Sequence, residues 1–429
     1  MSQGKPENWR DTILAGLANY IDAGSIVAGS AALVFWKQIY GLTDNFIGLI
    51  AAFSANAISA GVGALIGGIL CDKFGRKKIY QYDMYFYAFG MAWLVFASAP
   101  WMIVLGFILV GLAVGADIPA SWSLIAEQAP EDSRGKHSGV AQMLWYLGPV
   151  VVLGLGLLLA PLGLLGIRII FAHLLILAVA LTFLRSKMHE SRYWLEAQAE
   201  NKASGITQGS VWRELMQPKY MKSMLFLIGM YGFWNLWAGV NGFFFPYILR
   251  TVGGQSQEAS VALQGLNFLL GIVSILLIFM KFSDKMNQRT LFMISALIQV
   301  FAMSLLAIFP LTTTVALFHI VIIALAVGFG QQSFFQLWSA ELFPTMIRST
   351  AQGLTFAVVR IGLGCFSFFV PMINATGFTN LAWILTGFLA ISALIGWFGA
   401  PRNEGKSLEQ LAAARGDSRT LEAERPATV

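Results

Sequence analysis

The chain has 429 residues, of which 57% are hydrophobic and 12% charged, with a mean hydropathy of +0.68. Soluble domains carry about 25% charged residues, so this composition excludes a water-soluble globular protein. The net charge of +6 and pI of 9.3 are no evidence for nucleic-acid binding, because the cations collect in the short segments between apolar runs.

Taken in chain order, the apolar runs are about 20 residues long, each enough to cross roughly 30 Å of hydrocarbon. Twelve are predicted, near 12–36, 45–70, 79–99, 101–126, 137–160, 167–186, 222–249, 259–280, 290–309, 314–339, 350–374 and 380–399, which makes an all-α integral membrane protein. The two spans flanking 161–166 are the least separable. The polar start, Met1 to Asp11, leads straight into a full-length span without a short apolar region and cleavage site, so no removed signal peptide is expected. Placing the N-terminus in the cytoplasm puts Lys5, Arg10, Lys73, Arg76, Lys77, Lys78, Arg134 and Lys136 inside. Seven cations between Arg185 and Lys222, then Lys281, Lys285, Arg289, Arg348 and five in the tail, fall on the same side. Lys37 and Arg250 remain outside, an asymmetry that predicts cytoplasmic termini. Cys71 and Cys365, at a cytoplasmic edge and inside a span, do not read as a disulfide.

The sequence repeats itself. Glu127 is followed seven residues later by Arg134, and Glu341 seven residues later by Arg348. The runs Arg134-Gly-Lys-His-Ser-Gly and Arg348-Ser-Thr-Ala-Gln-Gly each open the next span, and six spans separate them. Two six-span halves related by an axis along the membrane normal are therefore expected. The predicted boundaries are 1–186 for the first half, 187–221 for a hydrophilic cytoplasmic linker, 222–399 for the second half and 400–429 for a tail.

Within these spans, Asp22, Asp117 and Arg360 sit near the middle of apolar runs. A charge at membrane depth is costly and normally has a partner or a task. Each lies some ten residues from its cytoplasmic span end, about 15 Å at the helical rise, so the three are expected to meet. Two acids against one base leave one carboxyl free to carry a proton, since burial and a like-charged neighbour both favour its neutral form. A static ion cluster that merely joins helices is the competing explanation. Nothing resembles a phosphate-cradling loop for ATP hydrolysis, no cofactor is implied, and no enzyme is expected. Energy must come from an ion gradient or from the solute. A proton moving through 100 mV gains about 2.3 kcal/mol, enough for roughly fiftyfold accumulation.

Several motifs carry a family resemblance. Gly68-Ile-Leu-Cys-Asp72-Lys-Phe-Gly75-Arg76 lies between spans 2 and 3, and Glu190-Ser191 with Trp194-Leu195 follows span 6. Gly239-Val-Asn241 is in span 7, Glu341-Leu-Phe-Pro344 with Arg348 follows span 10, and Pro401-Arg-Asn-Glu404-Gly405 follows span 12. In this order they resemble the major facilitator superfamily, in particular its sugar porter branch and proton-coupled metabolite symporter relatives. The resemblance implies that Asp72, Arg76, Glu127, Arg134, Glu190, Asp284, Glu341 and Arg348 form cytoplasmic salt-bridge networks that lock the outward-facing state. Asp284-Lys-Met-Asn-Gln-Arg289 departs from the Gly-Arg pattern, which weighs against a symmetric latch.

It further implies that spans 1, 4, 7 and 10 line a central cavity, with 2, 5, 8 and 11 beside them and 3, 6, 9 and 12 facing lipid. Asp22 in Tyr20-Ile-Asp22 resembles the proton-carrying Asp of proton-coupled sugar porters, but the span 4 Arg of that group is replaced by Phe107. Gly115-Ala-Asp117-Ile-Pro119 instead resembles a run of proton-coupled phosphate symporters, and Arg360 resembles a basic residue of phosphate and organic-acid symporters. Arg360 is thus a candidate for binding a carboxylate, or for replacing the missing span 4 Arg beside Asp22. Gln142, Asn235, Asn241 and Gln336 fall at or near sugar-reading positions, and Trp122, Trp145, Trp234, Trp237 and Trp338 could supply ring faces. Asp83, in a lipid-facing span, is expected to snorkel or pair with loop cations. The expected function is proton-coupled import of a sugar, polyol or sugar acid by a monomer in the bacterial cytoplasmic membrane. Symport of a non-sugar organic anion is the nearest alternative, followed by an exporter and a nutrient sensor.

Overall fold

The structure, a computed structural model, describes residues 9–130, 133–188, 190–203, 210–401 and 410. Every regular element among them is helical. The first set comprises α1 (Trp9–Tyr40), α2 (Asp44–Ala52), α3 (Ile58–Phe74), α4 (Arg76–Val95), α5 (Pro100–Gln128), α6 (Arg134–Leu159) and α7 (Leu164–Arg185). Two short helices, α8 (Arg192–Ala203) and α9 (Ser210–Leu215), occupy part of the expected linker. The second set comprises α10 (Pro218–Gly239), α11 (Phe245–Thr251), α12 (Gln257–Ser274), α13 (Met280–Phe282), α14 (Gln288–Ile308), α15 (Thr313–Val327), α16 (Gln331–Glu341), α17 (Thr345–Ala375) and α18 (Phe378–Gly399). The tail motif at residues 402–409 lies outside the described residues.

Among the described residues, nine helices are long and apolar enough to cross a membrane. The three remaining predicted spans fall on α1, on α2 with α3, and on α4. Each has a local reason to read as weaker. α1 carries Asn19 and Asp22 within its apolar stretch, α3 is 17 residues long and split from α2 at Phe53–Ala57, and α4 opens with Arg76, Lys77 and Lys78. Side-chain caps fix several starts: Thr43, Ser256, Asn287 and Thr312 each accept from a backbone N–H in the following turn. The least separable pair of spans is divided by a single tight turn at Ala160–Leu162, closed by Gly163 at φ 55°.

The helices expected to face lipid do present apolar surface outward. Phe86 on α4, Phe183 on α7, Phe301 on α14 and Phe398 on α18 are all exposed, Phe398 by 79%. Contiguous apolar surface on that scale belongs against a bilayer. The first and second helix sets meet along two seams, α3 against α17 and α6 against α12. In the first, Gly68 faces the Ser349 carbonyl and Gly353 faces the Ala64 carbonyl, so closely that a Cβ at either position would collide. Small residues at four-residue spacing let helix backbones touch, the usual solution where lipid offers no hydrophobic drive.

Candidate functional site: a crossed cytoplasmic latch and a central polar layer

At one end of the bundle the repeated Glu and Arg residues are buried and paired across the two helix sets. Arg134 on α6 bonds Glu341 on α16 at 3.2 Å, and Arg348 on α17 bonds Glu127 on α5 at 2.6 Å. Sequence spacing suggests pairs within each repeat, Glu127 with Arg134 and Glu341 with Arg348; the structure exchanges the partners. Arg134 opens α6 and Arg348 lies in the first turn of α17, and each meets the Glu of the other set.

Arg76, fully buried at the start of α4, bridges Asp72 and Glu127 at 3.2 Å each and donates to the Thr345 carbonyl at 2.6 Å. Asp72 accepts from the Thr350 N–H and hydroxyl, both at 2.7 Å, in the second turn of α17. Asp284 makes the related contact in the second set, accepting from the Gly135 N–H at 2.9 Å at the start of α6. The latch is therefore symmetric in its aspartates, against the expectation from the divergent loop. It is asymmetric in its arginines, because Arg289 lies over the Trp397 ring at 4.4 Å. Among the described residues, Glu190 is paired with no cation side chain; it accepts the N–H groups of Arg76, Lys77 and Ser191. Gly75, at φ 99°, makes room for it, since a Cβ there would strike the Glu190 carboxylate.

Deeper in the bundle lies a polar layer. Arg360 on α17 donates to Asn235 on α10 at 2.9 Å, to the Asn56 carbonyl at 3.3 Å and to the Tyr231 hydroxyl at 3.3 Å. The Asn56 carbonyl is available because it falls in the break between α2 and α3. Tyr231 in turn donates to Gln332 at 2.6 Å and stacks on Phe335 at 3.8 Å. Gln142 on α6 and Gln336 on α16 hydrogen-bond each other across the two sets. Asp22 accepts from the Trp145 indole at 3.3 Å. Trp122 packs edge-on to Phe335 and Phe356, and Arg360 lies 4.4 Å over the Phe356 ring.

Two expected members sit apart. Asp117 does not meet Arg360; it pairs with Arg185 on α7 at 2.8 Å, beside Asp83. The helical rise sets depth along a span but not direction around it, and Asp117 faces α4 and α7. Asp83 is buried rather than snorkelling, and it meets the other expectation by pairing with Arg185, one of the seven cations counted from Arg185 to Lys222. Asn241 lies in a wide π-turn at Val240–Phe244, where its backbone carbonyl accepts from Gln264 at 2.8 Å. Trp237 is buried against Trp234 with ring centroids 5.8 Å apart. Sequence reasoning missed Tyr231, Gln332 and the Asn56 carbonyl; Tyr231 and Gln332 stand one helical turn from Asn235 and Gln336, the signal that could have found them.

Several buried polar atoms in this layer have no hydrogen-bond partner. The acceptors are Asp22 Oδ1 and Gln142 Oε1; the donors are Trp122 Nε1, Asn235 Nδ2, Gln336 Nε2 and Arg360 Nε. Buried polar atoms are nearly always satisfied, so these are the atoms that water or a solute entering the layer would answer.

Such an arrangement, apolar helices enclosing an unsatisfied polar layer beneath a closed ion-pair latch, defines a polytopic membrane transporter rather than an enzyme. A family profile of the Major Facilitator Superfamily matches residues 12–362, and the chain belongs to that superfamily. It is similar to the minor myo-inositol transporter IolF of Bacillus subtilis, at 48% identity over 93% of this chain and 92% of that protein. It also resembles the glucose transporter GlcP of Staphylococcus epidermidis, at 24% identity over 93% of this chain and 94% of the relative. Among solved structures, the proton:xylose symporter XylE bound to 6-bromo-6-deoxy-D-glucose has the same fold. Its TM-score is 0.78 at 21% identity, covering 95% of this chain and 98% of that one.

Proposed function

We propose that this protein imports a small polyol or sugar together with a proton, by alternating access, with a cyclitol such as myo-inositol as the first substrate class to test. The observation that carries this reading is the mixture of unsatisfied donors and acceptors in the central layer. A hydroxyl both donates and accepts, so a polyhydroxylated ring can answer Gln142 Oε1 and Asp22 Oδ1 as well as Asn235 Nδ2 and Gln336 Nε2. Trp122 adds an apolar edge and an indole N–H. The 48% identity to a myo-inositol transporter points to the same class. Arg360 argues against a dedicated carboxylate site, since two of its nitrogens are already committed to neutral oxygens of Asn235, Asn56 and Tyr231.

Asp22 is the proposed proton carrier. It is buried, one of its oxygens is unpartnered, and the Arg360 charge is within electrostatic reach. The crossed Glu–Arg pairs, Arg76 and the two aspartate contacts hold the cytoplasmic side closed in the outward-facing state, and open together when the halves rock. The remaining features of the proposal are twelve crossings, halves at 1–186 and 222–399 joined by the 187–221 linker, both termini in the cytoplasm with the tail from residue 400, and a monomer in a bacterial cytoplasmic membrane.

Uptake of labelled myo-inositol into proteoliposomes tests the reading. Asp22→Asn should abolish gradient-driven accumulation yet keep solute exchange, because the amide mimics the protonated acid and lets the loaded carrier reorient. Normal accumulation by that variant would remove Asp22 from the coupling. Arg360→Lys should lower affinity for a neutral polyol and its acid by similar factors; a loss confined to the acid would return organic anions to first place.

A further inference from the structure

We infer that Asp83, Asp117 and Arg185 form a second proton-binding site inside the first half, in which two carboxylates share one guanidinium and one proton. The site is separate from Asp22 and stands whether or not Asp22 carries the coupled proton. Three helices build it: Asp83 comes from α4, Asp117 from α5 and Arg185 from the last turn of α7. All three side chains are buried, at 4%, 4% and 1% exposure. Arg185 Nη1 reaches Asp117 at 2.8 Å and Asp83 at 3.5 Å, so one nitrogen serves both acids. The same nitrogen donates to the Tyr80 carbonyl at 3.1 Å, and the guanidinium lies over the Tyr80 ring at 3.6 Å, which fixes its plane.

Charge counting then decides the occupancy. With both acids ionised, the site would carry a net negative charge away from water, beside a second carboxylate. Among the described residues, no cation other than Arg185 is ion-paired to either acid. The other groups within electrostatic reach are Tyr80 on α4 itself, Cys71 on α3, and Asp11 and Asp22 on α1, none of them positive. Arg76, the next cation along, is engaged by Asp72 and Glu127. Neither Asp83 oxygen has a hydrogen-bond partner, and neither do Arg185 Nε and Nη2. A buried carboxylate with one neighbouring acid and a shared cation is stable when one of the two acids is neutral, as in paired-aspartate sites. The proton then donates from one carboxyl toward the other, and Arg185 balances the remaining charge. A simple ion pair of Arg185 with Asp117 would leave Asp83 without a role, yet α4 places it against the same nitrogen.

The two explanations differ in whether the acids are interchangeable. In a shared site, Asp83→Asn and Asp117→Asn each leave a one-to-one pair and remove the proton. Each variant should therefore purify as a folded protein with a Tm within a few degrees of the parent. Infrared spectra of the full chain in detergent should show a protonated-carboxyl band at neutral pH that persists in Asp22→Asn and is lost in both Asp83→Asn and Asp117→Asn. A band unchanged in Asp83→Asn would overturn the proposal. So would a collapse of Asp117→Asn alongside a silent Asp83→Asn, the pattern of an ordinary ion pair. The Asp22→Asn spectrum keeps this outcome distinct from failure of the coupling reading, which is scored by transport.

Discussion

The loop after α3 and the loop after α13 make related contacts with different parts. In the first, Asp72 binds the second turn of α17 while Arg76 sinks into the interface and touches Asp72, Glu127 and the Thr345 carbonyl. In the second, Asp284 caps α6, but its loop arginine, Arg289, turns away to lie over Trp397. The comparison separates what an alternating-access latch requires from what it can omit. Both halves supply an aspartate near the partner's helix start, where the N–H groups and the helix dipole favour an anion. Both supply a Glu–Arg pair that crosses the interface. Only one half supplies a buried loop arginine, so the closed state leans on Arg76.

The largest test of that asymmetry removes each loop arginine in turn. Arg76→Ala strands Asp72 and shifts all of Glu127's charge onto Arg348, and breaking a buried charge network typically costs about 3–5 kcal/mol. Labelling of a Ser123→Cys probe, in a Cys71→Ser, Cys365→Ser background, should rise steeply, because Ser123 bonds Ser349 across the closed interface at 3.0 Å. Arg289→Ala should leave labelling near the parent level. Equal effects from the two alanines would erase the asymmetry.

A double-mutant cycle tests the crossed partners. Arg134 and Glu341 should couple by about 1–3 kcal/mol, as residues sharing a contact do, whereas Arg134 and Glu127 should be additive within about 0.5 kcal/mol. The same holds for Arg348, which should couple to Glu127 and not to Glu341. Coupling within a repeat instead of across would reinstate the pairing that spacing alone suggests.

The smallest expected effect is at the Asp284 cap. Burial pushes the Asp284 carboxyl above the usual aspartate range, against the Gly135 and Lys136 N–H groups that favour its charged form. Opening the latch exposes the group and restores its ordinary value, so a proton binds the closed state more tightly. The closed state therefore gains as pH falls through the raised value and loses that gain as pH rises. Asp284→Asn should flatten this pH dependence of Ser123→Cys labelling while changing its level by ~0.5 kcal/mol or less, and Asp72→Asn should open the latch measurably. A steeper pH dependence in Asp284→Asn would contradict the assignment.

Much of this architecture was legible before any coordinates. Apolar length located the helices, the repeated Glu-x6-Arg located the latch, and lone mid-span charges flagged Asp22, Asp117 and Arg360. Partnership was not legible. Depth follows from counting residues, but which neighbour a side chain meets depends on helix rotation, and that is how Asp117 came to face Arg185. Arg185 itself read as one more interfacial cation at a span end, whereas stacking on Tyr80 draws it inside. The break at Phe53–Ala57, which frees the Asn56 carbonyl for Arg360, has no glycine or proline to announce it.

The seam between α3 and α17 has a mechanical consequence. Where Gly68 meets the Ser349 carbonyl and Gly353 the Ala64 carbonyl, no side chains interlock, so no rotamers need re-sorting when one helix swivels on the other. Interdigitated surfaces move in discrete steps; two smooth backbones in contact can turn through a continuous range of angles without losing touch. Under the rocking motion proposed above, that seam would serve as the pivot. A methyl group at Gly353 would act as a wedge in that pivot and slow reorientation of the empty and the loaded carrier alike.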